Sequence, residues 1–392
     1  MSETARSNRY HIAVFGCRNA GKSSLVNSLV GQDVSIVSPV AGTTTDTVWK
    51  NIELPGIGAA VIADTAGFDD DGELGAMRVE ASRKVLERAD LAIMVLGDGE
   101  TEHEKAWHDD IARRQLPLLL VAGKCDTQGS EERIKRLQKA FGAVVPFSAV
   151  TGEGRDELLA QMASMYSHDD NLDDITYSLV EHGDIVVLVM PQDASAPKGR
   201  LIQLQVQTLR NLLDKHCIPL CCAPEELPRL LQSLVSPPRL VITDSQVFAQ
   251  VCDMVPRGTR LTSFSVLMAR HKGDIDTFIE GARALGMMPA NARILIAEAC
   301  SHIPQNEDIG RVKLPRLLRK KIGEELVIDI VSGNDFPADI TGYDLVIHCG
   351  ACMFNRRMVL SRIRQARAQG VPITNYGIAI ASLNGILEKV TI

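Results

Sequence analysis

Apolar runs of strand length alternate with helical stretches along the N-terminal part of the chain. The first run ends in a glycine, and a helix is predicted to begin at Lys22. This alternation is typical of a parallel sheet with helices packed on both faces. The predicted strands lie within residues 11–16 (HIAVFG), 59–67 (AAVIADTAG), 91–97 (LAIMVLG) and 116–124 (LPLLLVAGK).

The same pattern resumes twice later in the chain. Residues 166–176 are polar and acidic and lack a helical stripe, which predicts a linker. Residues 261–270 are ambiguous between strand and helix and mark a second border. The sequence therefore predicts an α/β protein of three domains, at residues 1–169, 170–262 and 263–392. The strands expected after the linker are 184–191, 238–245, 293–299, 325–333, 343–351 and 372–377, and the clearest helices are 201–216 and 358–370.

Composition and charge restrict the class of protein. The 392 residues are 45% hydrophobic, which is enough for sizeable cores, and the net charge of −7 provides no basic footprint for nucleic acid. The first fifteen residues lack the features of a secretion signal, and no apolar run approaches the roughly 18 residues of a membrane helix. We therefore expect a cytoplasmic protein without nucleic-acid or membrane partners. Its nine cysteines are then expected to be thiols or metal ligands rather than disulfides.

A phosphate-binding motif follows the first predicted strand. The segment GCRNAGKS has the spacing Gly-x4-Gly-Lys-Ser and opens a predicted helix. In this context the backbone amides surround the β-phosphate, Lys22 reaches the β- and γ-phosphates, and the hydroxyl of Ser23 binds Mg²⁺. The positive end of the helix dipole adds to the attraction. The predicted phosphate-binding residues are Gly16, Cys17, Arg18, Asn19, Ala20, Gly21, Lys22, Ser23 and Ser24.

Two further segments fit the same nucleotide site. The segment DTAG ends a predicted strand, so Asp64 is expected to hold Mg²⁺ through water and the amide of Gly67 to meet the γ-phosphate. In the segment AGTTTD, either Thr44 or Thr45 is expected to close over the metal, and spacing alone does not separate them. These motifs, in this order, resemble translation-factor-type GTPases of the TrmE–Era–Der branch across residues 10–165. The catalytic candidates are Lys22, Thr44, Thr45 and Gly67, and the Mg²⁺ candidates are Ser23, Thr45 and Asp64.

The choice of base depends on a later motif. Guanine presents N1–H and a 2-amino group, which GTPases of this class recognise with the aspartate of Asn-Lys-x-Asp. Here the segment is GKCD, in which Lys124 and Asp126 match the pattern and Gly123 replaces the asparagine. The backbone of Ser148 and Ala149 is expected to meet guanine O6. We expect GTP to be preferred over ATP, with reduced affinity because the missing amide normally ties this loop to the phosphate loop.

Two residues concern the rate of hydrolysis. Phe68 stands where many regulatory GTPases place a glutamine that orients water. Asn19 lies within the phosphate loop, as in relatives that resemble potassium-activated GTPases, although a hydrogen bond within the loop explains this asparagine equally well. The sequence predicts slow intrinsic hydrolysis that is faster in K⁺ than in Na⁺.

Cysteines and histidines cluster after two strands of the predicted C-terminal domain. Cys300 and His302 follow one strand, and His348, Cys349 and Cys352 follow another. Because ligands of parallel sheets bind at the carboxyl ends of strands, the two groups are expected to face each other. Three thiolates with nearby imidazoles suit Zn²⁺ or an iron–sulfur cluster, and only one Cys-x-x-Cys knuckle is present where structural zinc sites use two. The candidates for a fourth ligand are His302, His348 and Glu307.

The combination of motifs resembles one family over nearly the whole chain. A GTPase head, Cys-x-His, a further 45 residues and His-Cys-x-x-Cys are similar to the HydF family of iron–iron hydrogenase maturation GTPases. The resemblance implies a 4Fe–4S cluster on Cys300, Cys349 and Cys352, with His302 and His348 as tuning or exchangeable residues. It also implies a scaffold that carries a two-iron precursor with CO and cyanide ligands and delivers it to apo iron–iron hydrogenase. Two radical-SAM maturases would be further partners, and the middle domain would form a homodimer.

Two other functions fit parts of the sequence. An RNA-processing or ribosome-assembly GTPase with a C-terminal zinc domain would share the N-terminal motifs. The acidic balance and the 4% content of aromatic residues argue against it, since RNA recognition relies on basic surfaces and base stacking. A GTPase with an inert α/β tail is a third interpretation, and the cysteine and histidine pattern argues against that one.

Overall fold

The chain folds into two compact units, Met1–His168 and Asp169–Ile392. Within the part of the chain that the structure describes, no helix is both long enough and apolar enough to cross a bilayer. The structure is a computed structural model that describes residues 9–30, 48–65, 67, 73–97, 102–166, 174–192, 201–299, 309–333, 335–351 and 353–392.

The first unit is built on a six-stranded sheet. Its strands are β1 (Tyr10–Gly16), β2 (Val48–Leu54), β3 (Gly58–Asp64), β4 (Leu91–Leu96), β5 (Leu118–Ala122) and β6 (Val145–Pro146). Its helices are α1 (Lys22–Val30), α2 (Glu73–Leu86), α3 (Glu102–Arg113), α4 (Ser130–Phe141) and α5 (Arg155–Met165). The strand order is β2-β3-β1-β4-β5-β6, and all neighbours are parallel except β2 and β3. The predicted parallel sheet is confirmed, and an antiparallel edge strand that the sequence analysis missed is added to it.

The residues of β1 explain why this strand lies inside the sheet. Ile12 and Val14 point into one apolar cluster, and Ala13 and Phe15 point into a second cluster on the opposite face. All four side chains are fully buried. A strand with buried apolar side chains on both faces needs cover on both, which the helices of an α/β fold provide.

The second unit contains two four-stranded sheets. Its strands are β7 (Ile185–Val189), β8 (Ile218–Cys222), β9 (Leu240–Thr243), β10 (Arg260–Ser263), β11 (Arg293–Glu298), β12 (Val327–Ser332), β13 (Leu345–His348) and β14 (Ile373–Asn375). Its helices are α6 (Gln203–Asp214), α7 (Leu227–Ser233), α8 (Phe248–Met254), α9 (Phe264–Lys272), α10 (Ile275–Arg283), α11 (Leu314–Lys321), α12 (Arg356–Ala368) and α13 (Tyr376–Leu383). Short 3₁₀ or π turns lie at Tyr177–Leu179, Pro224–Glu226, Ser245–Val247, Ala284–Met287, Ile309–Lys313 and Leu387–Lys389.

Both sheets of the second unit are parallel throughout, which confirms the predicted α/β class. One apolar core extends from Val187 of the first sheet to Val390 near the C-terminal end of the chain. The segment that was ambiguous in sequence is a strand, β10, followed at once by a helix, α9. Ser263 caps this helix by accepting a hydrogen bond from the amide of Val266. The predicted border after residue 262 falls one residue before the end of β10.

The order of strands in the last sheet defines a crevice. The order is β12-β11-β13-β14, so the chain leaves β11 toward one edge and leaves β13 toward the other. Open parallel sheets bind their ligands at such a switch point, beyond the carboxyl ends of the two central strands. The residues that follow β11 and β13 therefore occupy the expected ligand-binding edge.

Candidate functional site

The phosphate loop joins β1 to α1, as the motif predicts. Lys22 is the first residue of α1, and its buried Nζ donates to the carbonyl oxygens of Gly16 at 2.9 Å and Cys17 at 2.8 Å. This holds the ammonium group across the loop, where phosphate-loop lysines meet the β- and γ-phosphates. Asn19 adopts a left-handed conformation with φ of 60°, and its side chain is exposed, as is that of Ser23. The predicted phosphate-binding residues thus form one continuous loop and helix start.

Asp64 fits the predicted role in binding Mg²⁺. It ends β3 and is paired in register with Val14 of β1. Its Oδ1 is buried and has no hydrogen-bond partner among the described residues. A buried carboxylate oxygen without a donor is costly unless a cation or water completes its coordination. Gly67 is described and buried, whereas the predicted residues Thr44 and Thr45 lie outside the described residues.

The base-recognition loop follows β5. Lys124 and Asp126 are exposed, so the carboxylate that is expected to recognise guanine is accessible. The amide of Cys125 donates to the carbonyl of Phe147 at 3.1 Å, which ties this loop to the segment before Ser148. The structure therefore brings together two base-recognition segments that are distant in sequence.

The segment of Ser148 and Ala149 is a tight turn. Ser148 is fully buried, and its Oγ accepts the amides of Val150 and Thr151, both at 3.1 Å. Ala149 is exposed. The hydroxyl of Ser148 therefore shapes the turn.

Gly123 allows the base loop to approach the phosphate loop directly. A Cβ at this position would lie 2.6 Å from the carbonyl oxygen of Ala20 and 3.1 Å from Cγ1 of Val95. The two loops meet backbone to backbone, so the missing asparagine side chain has no space in this arrangement.

The candidate metal centre lies at the switch point of the last sheet. The amide of Cys349 donates to the carbonyl of Ala297 at 2.9 Å, which continues the pairing of β11 with β13. Its Sγ is buried and accepts the amides of Ala299 at 2.9 Å and Ala351 at 3.4 Å. Backbone amides directed at sulfur stabilise the thiolate, which is the form that ligates iron or zinc. Cys349 therefore fits the role of a metal ligand.

The other predicted ligands can be placed only by sequence. Cys300, His302, Glu307 and Cys352 lie outside the described residues. In sequence, the two amides that reach Cys349 Sγ belong to the residues immediately before Cys300 and Cys352. No group of three or more His, Cys, Asp or Glu side chains forms a metal site among the residues that the structure does describe.

Both ring nitrogens of His348 contact protein atoms. Nδ1 donates to the carbonyl of Cys349 at 2.8 Å, and Nε2 accepts from Nη1 of Arg362 at 3.0 Å. Burial, with the Arg362 cation as the second cause, lowers the pKa of His348 from 6.5 to about 3. The ring is therefore neutral, and ligation by either nitrogen would require one of these hydrogen bonds to break.

The sequence analysis did not identify the cations that support this site. Arg362 is buried and lies over the rings of Phe336 and Phe354, at 4.7 and 4.6 Å from their centroids. Lys272 is also buried, and its Nζ donates to the carbonyls of Ala351 at 3.0 Å and Phe354 at 2.9 Å. For Arg362, the signal in the sequence is its place on the apolar face of α12, with Met358, Val359 and Ile363.

An ion pair spans the segment that carries Cys300. Nε and Nη2 of Arg311 donate to Oε2 of the buried Glu298, at 3.1 and 3.0 Å, and Nη2 also donates to Ser332. Glu298 lies two residues before Cys300, and Arg311 lies in the turn after Glu307. The pair joins the two ends of this segment.

Three family models match successive parts of the chain. Residues 11–124 match the model described as 50S ribosome-binding GTPase. Residues 175–273 match the hydrogen maturase F dimerization domain, and residues 276–391 match the hydrogen maturase F tetramerization domain. The two hydrogen maturase models span nearly all of the second unit. A tetramerization domain was not anticipated from the sequence, which predicted a homodimer alone.

Two curated relatives match less than half of the chain. The tRNA modification GTPase MnmE of Xanthomonas euvesicatoria pv. vesicatoria is 35% identical over 158 residues, which are 40% of this chain and 33% of that protein. The protein of the same name from Myxococcus xanthus is 37% identical over 153 residues, covering 38% and 32%. The chain therefore spans about one third of the length of these relatives.

The solved structures that resemble part of this chain have low TM-scores and low sequence identity. Aquifex aeolicus Era Y63A bound to GDP and AlF₄⁻ has a TM-score of 0.34 and 22% identity, covering 54% of this chain and 92% of that one. The G domain of the T. maritima FeoB iron transporter has a TM-score of 0.32 and 24% identity, covering 41% and 100%. These likenesses are too weak to bear on function.

Restoring the usual motif by Gly123→Asn is expected to weaken GDP binding, because the added Cβ would overlap the carbonyl of Ala20. Overpacking costs about 1–3 kcal/mol, so the Kd should rise by about 5- to 150-fold. Titration of the full chain with a fluorescent GDP analogue measures this change. Gln128→Asn, at an exposed neighbouring position, is the control and should bind as the wild type does. Tighter binding by Gly123→Asn would contradict the interpretation.

Proposed function

The chain belongs to the hydrogen maturase F family and carries a GTPase domain, and from this premise we propose a specific task for it. It is a GTP-hydrolysing scaffold that binds a 4Fe–4S cluster and a two-iron precursor. It delivers the precursor to apo iron–iron hydrogenase during maturation. Two radical-SAM maturases are its other partners, and it acts in the cytoplasm as a homodimer formed through the middle domain.

The environment of Cys349 is the observation that carries the proposal. Its sulfur lies at the switch point of a parallel sheet and accepts two backbone amides. These amides belong to Ala299 and Ala351, which precede Cys300 and Cys352 in the sequence, and this supports Cys300, Cys349 and Cys352 as the proposed ligand set. Three thiolates leave one coordination position of a 4Fe–4S cluster for His302, Glu307, His348 or an incoming ligand.

The nucleotide site supports the hydrolytic part of the proposal. Lys22 would meet the β- and γ-phosphates, Ser23 and, through water, Asp64 would hold Mg²⁺, and Asp126 would select guanine; the position of Lys22 across the loop and the unpartnered Oδ1 of Asp64 support these roles. Mg²⁺, when bound, neutralises charge on the β- and γ-phosphates. Thr44 or Thr45 closes over the metal, and the amide of Gly67 meets the γ-phosphate.

The alternative of an RNA-processing or ribosome-assembly GTPase with a zinc domain is not favoured. The GTPase model covers residues 11–124, which lie in the first unit, and the two MnmE relatives match 40% and 38% of the chain. The rest of the chain matches hydrogen maturase models, and that is the part in which a zinc domain would have to lie.

Hydrolysis of GTP is expected to be slow and faster in K⁺ than in Na⁺. Asn19 lies exposed in the phosphate loop, where its side chain can ligate a K⁺ ion that takes the place of an arginine finger. Turnover measured in matched KCl and NaCl buffers tests this expectation, and Asn19→Ala should remove the difference. Equal turnover of the wild type in both salts would contradict it.

Lys22→Ala is expected to lower GTP turnover by about 100-fold or more, because the variant loses the charge that meets the transferred phosphate. Iron binding should remain, since the cluster residues belong to the other unit. Phosphate release and iron content measure the two properties on one preparation. Lys139→Ala, at an exposed position on α4, is the control. Loss of iron as well would contradict the independence of the two sites.

Cys349→Ala is expected to prevent cluster assembly. After anaerobic reconstitution with iron and sulfide, the wild type should show sulfur-to-iron charge-transfer absorption, and the variant should lose most of it. Cys300→Ala and Cys352→Ala should behave alike. Cys221→Ala, at an exposed cysteine of β8, should reconstitute fully. Stoichiometric zinc without a cluster in the wild type would refute the scaffold proposal.

A further inference from the structure

The base-recognition loop of this chain holds a strained backbone without the usual asparagine. Lys124 has φ of 57°, in the left-handed region that residues with a side chain adopt only when their surroundings hold them there. Gly123, next to it, lies so close to Ala20 of the phosphate loop that a Cβ would overlap the carbonyl oxygen of Ala20. The carboxylate of Asp126 follows two residues later, so its position depends on this backbone.

Arg133 supplies hydrogen bonds to that backbone. It lies in the first turns of α4, only 6% exposed, and its Nη2 donates to the carbonyls of both Gly123 and Lys124, the latter at 3.2 Å. Thr127 Oγ1 also donates to the carbonyl of Lys124, at 2.9 Å. Hydrogen bonds from a buried cation are stronger than those from a neutral group, because the low local dielectric screens them less. Arg133 therefore joins α4 to the two residues with which the base loop begins.

We propose that Arg133 is a positioning residue for guanine recognition. It anchors the base loop against the phosphate loop, which is the task of the asparagine amide in GTPases that keep Asn-Lys-x-Asp. Gly123 allows the close approach, and Arg133 donates to the carbonyls of Gly123 and Lys124. The inference rests on the proposed binding of GTP at this site and assigns its base selectivity to a residue outside the motif.

Other parts of the loop are held by separate contacts. Ser130 Oγ donates to the carbonyl of Cys125 at 2.6 Å, and the amide of Cys125 donates to Phe147. Neither contact reaches Gly123 or Lys124. Removal of the Arg133 donors should therefore loosen the start of the loop and displace Asp126, while the phosphate loop keeps its own hydrogen bonds.

The test compares Arg133→Met with Arg136→Met, an exposed arginine on the same helix, in the full chain. Kd values for fluorescent GDP and ADP analogues are measured with Mg²⁺, and the folded state is monitored by circular dichroism. Arg133→Met is expected to weaken GDP binding by about 10- to 100-fold. ADP binding should change less than about 2-fold, since ADP is held through its phosphates alone. The KM for GTP should rise while kcat changes little, and Arg136→Met should match the wild type.

An unchanged GDP affinity, or an equal loss of GDP and ADP affinity, would overturn the proposal, because a purely structural role affects both nucleotides. If Arg133→Met does not fold, Arg133→Gln is measured by the same criteria, since its polar head is compatible with burial but too short to reach both carbonyls. A wild type that binds ADP as tightly as GDP would instead refute the proposed GTP specificity itself.

Discussion

Parallel pairing between strands that are distant in sequence is the constraint on which both sites depend. In a parallel sheet the carboxyl ends of neighbouring strands lie at the same edge, so the loops that follow them meet. The pairing of Ala297 with His348 brings the amide of Ala299 within 2.9 Å of the sulfur of Cys349. A slip of one residue would turn every side chain of β13 to the opposite face of the sheet. The donors around Cys349 are therefore a consequence of strand register.

The C-terminal sheet also buries several charged and titratable groups close to its ligand edge. Such groups are costly to bury unless hydrogen bonds and counter-charges compensate them. His348 avoids this cost because its ring is neutral and forms hydrogen bonds with Arg362 and with the carbonyl of Cys349. The buried charge of Glu298 is compensated by Arg311, which donates two hydrogen bonds to its carboxylate. These contacts compensate the buried charges beside Cys349 with groups of the protein itself.

In the predicted nucleotide site, the base loop contacts the phosphate loop although the usual asparagine is absent. The predicted base loop and the phosphate loop are in contact because Gly123 lacks a side chain, and Arg133 on the following helix donates to the carbonyls of Gly123 and Lys124. Loss of one side chain from a motif therefore need not mean loss of its geometry. What counts is whether the backbone carbonyls of the loop find donors, because buried carbonyls without partners destabilise the fold.

Local patterns in the sequence determined much of this protein. Continuous apolar runs identified β1, β4, β7, β11 and β13, and the spacing of the phosphate motif located Lys22, because both signals depend only on neighbours along the chain. Three strands were not predicted: β2, which has no continuous apolar run, β6, which has two residues, and β8, which contains Pro219. The segment of β10 was ambiguous because a helix follows that strand at once. Tertiary structure alone decided that Gly123 has no room for a side chain, that Arg133 reaches the base loop, and that Arg362 donates to Nε2 of His348. These contacts join residues that lie 9 or more positions apart, or depend on the packing of whole elements, so no local period or spacing in the sequence encodes them.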